Sequence, residues 1–85
     1  MTFQGSLIKE QGIEFAVVIV KSHVLSSPSI REEAREDFSH FFPRVPVILM
    51  AQNSRGIPKY HGRTDIVKFL ATIDFRRIPW KQYTA

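Results

Sequence analysis

"IEFAVVIV", residues 13–20, decides the fold. Side chains of an extended chain alternate between two faces, so Ile13, Phe15, Val17 and Ile19 share one side and Ala16, Val18 and Val20 line the other. From Phe15 onward both sides are apolar, which marks a central strand. Upstream, "FQGSLIKEQG" reads as a partner strand closed by Gly12, because glycine supplies the positive φ that a tight hairpin demands. Gln4, Gly5 and Ser6 interrupt Phe3, Leu7 and Ile8, so this first strand reads as an edge.

Downstream, "SSPSIREEAREDFSHFFP", residues 26–43, predicts a helix that ends at Pro43. Two starts fit: Ser29 with Glu32 three residues on forms a capping box, and Ser27 before Pro28 uses the preference for proline in the first helical position. Ile30, Ala34, Phe38 and Phe41 recur at the spacing of one buried stripe, with Arg31, Glu32, Arg35 and Glu36 turned to water. "VPVILMAQ", residues 45–52, predicts a second buried strand, with Pro46 at its start where no ladder N–H is needed. "NSRG" supplies a turn, and Ile57–His61 returns as a short strand kinked near Pro58. Gly62 or Thr64 caps a last helix, Asp65 sits in its first turn, and Ile66, Phe69, Leu70 and Ile73 make its buried face. The remainder, "DFRRIPWKQYTA", has no sustained period, and its aromatic residues predict a tail pinned to the body by Trp80. The expectation is one α+β domain over residues 1–85: β-β-α-β-β-α, a four-stranded sheet with two helices packed on one face, plus an ordered C-terminal tail.

The longest apolar run, Phe15 to Val20, is far shorter than the ~20 residues of a membrane-spanning helix, so no membrane partner is expected. The N-terminal segment has no basic stretch followed by an apolar run and a cleavage site, which predicts a cytoplasmic location. Zero cysteines exclude disulfides, thiol catalysis and cysteine-based zinc sites. His23, His40 and His61 match no metal-ligand spacing. No P-loop, Gly-x-Gly-x-x-Gly or Gly-x-Ser-x-Gly is present, so neither a cofactor nor an enzymatic activity is expected.

Twelve Lys and Arg against eight Asp and Glu give a net charge of +4, and only Asp65 and Asp74 among the acids follow Asp37. The second half is the basic one. Its sharpest cluster is Arg55, Lys59, His61 and Arg63 leading into the last helix: residues 59, 61 and 63 are two apart, so in an extended segment they point the same way. The cluster predicts an anion or acidic-partner site, against the plainer reading of edge-strand charges that discourage aggregation. "QNSRG" offers hydrogen-bonding groups that serve a ligand or simply the turn. Arg76, Arg77, Trp80 and Lys81 give the alternative of single-stranded nucleic-acid binding, through stacking on the indole and pairing with phosphates. The strands Phe3–Lys9 and Ile57–His61 are each candidates to pair with a second copy as a homodimer.

Two resemblances add to this reading. "RVPVILMAQNSRGIPKYHGRTDIVKFL", residues 44–70, resembles the C-terminal half of thioredoxin-like proteins. The likeness implies that Ser26-Ser27-Pro28-Ser29 stands where that family has Cys-x-Pro-Cys, and that Pro46 matches its cis-proline. It would make this a redox-inactive thioredoxin-like domain. The whole chain, including "SRGIPKYHGR" and "IPWKQYT", looks like a family of small uncharacterised cyanobacterial proteins. That resemblance implies an intracellular soluble protein of unknown function. The reading that results is a non-enzymatic binding or interaction module whose partner is an acidic protein surface or a phosphorylated ligand.

Overall fold

The computed structural model describes residues 2–10 and 12–84. Its elements run β1 (Thr2–Glu10), β2 (Ile13–Ile19), α1 (Ser22–Ser26), α2 (Pro28–Ser39), β3 (Val47–Gln52), β4 (Pro58–His61), α3 (Thr64–Leu70), a 3-10 turn (Phe75–Arg77) and β5 (Lys81–Thr84). The α+β class holds, and the sheet has five strands rather than four, in the order β4-β3-β2-β1-β5. The fifth strand is the tail. β2 and β3 are parallel, as their connection through α1 and α2 requires, and every other pairing is antiparallel.

The helices do not share one face of the sheet. Phe15 and Val17 of β2 pack with Ile48 and Met50 of β3 against Ile66 and Leu70 of α3. Their neighbours Ala16, Val18, Val47 and Leu49 join Phe3 and Phe42 on the other side, against Val24, Leu25, Ala34 and Phe38 of α1 and α2. A strand apolar on both faces leaves one face wet unless something covers each. The same alternation that made β2 central therefore demanded helices on both sides, and the one-face arrangement fails for that reason.

Local expectations also shift. Ser27 is the N-cap of α2 with Pro28 in its first turn, so the proline-led start is the one adopted. Ile30 and Phe41 are exposed, which narrows the expected stripe to Ala34 and Phe38. α1, a single turn with no buried residue, had no periodic signature. In α3 only Ile66 and Leu70 are buried, and Ile73 lies beyond the helix and exposed. Its N-cap is Arg63 rather than Gly62 or Thr64. Gly62 has another role: with φ +154 it brings the chain so close to β3 that a Cβ there would stand 2.5 Å from the Ile48 side chain.

The tail is fixed by three contacts. The Trp80 indole N–H donates to the Phe75 carbonyl at 3.0 Å, and its ring packs on the α3-side cluster. Tyr83 stacks on Phe3 with ring centroids 5.3 Å apart. β5 then pairs with the start of β1, Thr2 facing Thr84 through Gly5 facing Lys81. β1 is consequently interior over its first half and an edge only over its second.

Candidate functional site

β4 places the basic segment against α1 and α2. Lys59 and His61 face Ala51 and Leu49 across the ladder and so point to the α2 side, while Tyr60 between them points to the α3 side. The alternation that aligned residues 59 and 61 is thus real, but their surroundings differ. His61 Nε2 lies 3.3 Å from Glu32 Oε1 on α2, and Glu32 also reaches Arg35 at 3.6 Å. Arg63 turns onto Asp65, with Nε 2.8 Å from Oδ1. Arg55 is exposed in the turn before β4, and its backbone N–H donates to Asn53 Oδ1 at 2.9 Å.

Lys59 differs from His61 and Arg63. It lines a 280 Å³ cleft with Ser22, Leu25, Ser26, Ala51, Gln52 and Asn53, and it has no ion-pair partner among the described residues. The cleft opens where the two parallel strands end, between α1, which follows β2, and the turn that follows β3. In open α/β sheets ligand crevices lie outside the carboxyl ends of parallel strands. Polar residues line the cleft beside Leu25 and Ala51, yet most of its exposed surface is contributed by apolar atoms, and its amides are already partly engaged. Asn53 Oδ1 accepts from the N–H groups of Arg55 and Ile57 at 2.9 and 3.0 Å, and Gln52 Nε2 donates to the Gly56 carbonyl at 3.1 Å. These bonds hold the turn, which accounts for most of the "QNSRG" chemistry.

The basic aromatic tail is organised differently from a stacking platform. Trp80 is half-buried with its donor bound, and Arg76 clamps Asp74 through Nη2 at 2.9 Å and Nε at 3.1 Å. Hydrogen bonds from Arg76 hold the Asp74 carboxyl down, to a pKa of about 2. Arg77 lines a separate groove beside β1, and Lys81 is exposed on β5. The four residues Arg76, Arg77, Trp80 and Lys81 therefore face different surroundings, and the indole is spent on anchoring the strand.

Sequence reasoning did not single out Ser22 and Ser26 as neighbours of Lys59. α1 brings them there, and nothing in "SHVLS" announces a helix. Ser26 Oγ donates back to the His23 carbonyl at 2.9 Å, and Ser27 and Ser29 lie with hydroxyls 3.4 Å apart. Among the described residues no peptide bond is cis, that before Pro46 included. Residues 44–70 contain β3, β4 and α3.

No helix is long and apolar enough to cross a membrane among the described residues. Comparison with protein-family models, with curated proteins and with solved structures gives no match to this chain.

Proposed function

We propose that the protein is a non-enzymatic interaction module that receives an anionic group, a phosphorylated ligand or an acidic side chain of a protein surface, in the cleft between α1 and β4. The observation that carries this reading is the position of Lys59. It lines a cleft and lacks a carboxylate partner among the described residues, whereas His61 and Arg63 each lie against a carboxylate. Ser22 supplies a hydroxyl beside it, while that of Ser26 donates to the His23 carbonyl, and the net charge of +4 draws acidic partners to the surface as a whole. His61 and Arg63 lie against the carboxylates of Glu32 and Asp65, and Arg55 stands exposed on the turn that follows the cleft residues Gln52 and Asn53.

Amide chemical-shift mapping at low salt, with phosphoserine and with a short acidic peptide, tests the reading. Shifts confined to Ser22–Ser26 and Gln52–Lys59, weakened by salt and lost in Lys59→Gln, are expected. Shifts spread evenly over the surface, or confined to the β1–β2 hairpin, would overturn it.

A further inference from the structure

Among the described residues the second half of β1 has no strand paired to its outer side, and its geometry selects what can bind there. The Ala16 N–H donates to the Pro46 carbonyl and the Val20 N–H to the Met50 carbonyl, so even-numbered residues of β2 turn their peptide groups toward β3. Odd-numbered residues of β2 then face β1, and through the register Ile8 opposite Phe15 they engage Ser6, Ile8 and Glu10. The peptide groups of Phe3, Gly5, Leu7 and Lys9 must point the other way, toward β5. Phe3 and Gly5 are satisfied there by Tyr83 and Lys81.

The same register would bring Pro79 opposite Leu7. Proline has no N–H to give, and the Trp80 N–H is instead bound to the Ile78 carbonyl at 2.8 Å, which bends the chain away. The ladder stops. Leu7 and Lys9 are left with outward N–H and C=O groups facing a 610 Å³ groove whose far wall is Phe69, Ile73, Arg77 and Pro79. Leu7 at 48% and Ile73 at 37% are two of the large apolar side chains the surface leaves exposed, and both line this groove.

We infer that this edge is a homodimer interface, in which residues 6–10 of two copies pair antiparallel about a two-fold axis through Ile8. The two open residues lie symmetrically about Ile8, so Leu7 meets Lys9 of the second copy and all eight free peptide groups, four per chain, close into a ladder. No like charges face each other in this register: Glu10 meets Ser6, and the aliphatic stem of Lys9 lies over the exposed Leu7 of the other chain. Neighbouring registers fail. An axis through Leu7 would require the Gly5 groups already bound to Lys81, and an axis through Lys9 would oppose two lysines. The interface joins two sheets into one and lies on the far side of β2 and β3 from the Lys59 cleft, so it stands or falls separately from the anion-binding reading.

The test combines sedimentation velocity with cross-linking, which the cysteine-free chain makes clean. The wild-type protein is expected to dimerise with rising concentration, with slowed exchange of the Leu7 and Lys9 amides. Ile8→Cys is expected to form an intermolecular disulfide, because a non-hydrogen-bonded pair sits about 4.5 Å apart at Cα. Lys9→Cys is not, since the same register separates its two Cα atoms by about 8 Å, beyond disulfide reach. Lys9→Pro removes an N–H that β2 does not use and is expected to abolish the dimer with an unchanged circular dichroism spectrum. A wild-type protein monomeric throughout, a dimer that survives in a folded Lys9→Pro variant, or equal cross-linking at positions 8 and 9 would each overturn the inference. If Lys9→Pro unfolds, the contrast between the two cysteine variants decides.

Discussion

The two outer strands of the sheet, β4 and β5, are equal in length and opposite in origin. β4 returns from β3 through a short turn that Asn53 closes with two hydrogen bonds, so its register is set by residues a few positions away. β5 arrives from the far end of the chain to pair with residues 2–5, and no turn sets its register. It is held by side chains: Trp80 before it and Tyr83 within it. A strand fixed by a turn loses little when one side chain is removed. A strand fixed by side chains depends on each, and the entropy of closing so long a loop must be offset by them.

The most severe way to break that contrast is Trp80→Ala. Losing a half-buried indole and its bond to Phe75 is expected to cost about 2–4 kcal/mol, read by urea unfolding with far-ultraviolet circular dichroism, and to release β5 from β1. Trp80→Phe retains most of the packing and is expected to cost about 1 kcal/mol. On the β4 side, Gly62→Ala forces a methyl group into Ile48 at a positive φ, for an expected loss of about 1–3 kcal/mol in the same assay. Asn53→Ala removes two bonds in a solvent-exposed turn and is expected to cost only about 1 kcal/mol, because water replaces them and β4 keeps its register.

The smallest effect belongs to Asp74, in the connection to β5. Its pKa falls from 3.8 to about 2, first through the hydrogen bonds from Arg76. A carboxyl depressed in the folded state stabilises it above the unfolded value near 3.8 and loses that contribution as pH falls through about 2. The carboxyl carbon titration followed by NMR is expected to show a midpoint near 2 that rises toward 3.8 in Arg76→Ala. The group lies at the surface, so the accompanying change in stability is small.

The same contrast explains what the sequence made legible. β4 and its turn could be read because a strand, a turn and a return strand lie within one short window, and β1 with β2 for the same reason. β5 could not: "KQYT" has no alternation of its own, and its partner is Thr2–Gly5, at the other end of the chain. The apolar faces of β2 and β3 were visible, but assigning both helices to one face ignored the cover that the second face requires. In the candidate site, alternation placed Lys59 and His61 on one side correctly. It gave no hint that Glu32 and Asp65 would claim His61 and Arg63, because those pairings depend on where α2 and α3 sit. Ser22 and Ser26 were hidden by a helix too short to show a period.

The pairing of Thr2 with Thr84 has a mechanical consequence. Tension applied to the two ends of the chain pulls β1 and β5 apart as a zipper, loading one rung at a time rather than all together. The first event under load is therefore the peeling of β5 back toward Trp80, at low force, while the parallel pair of β2 and β3 carries none of the strain.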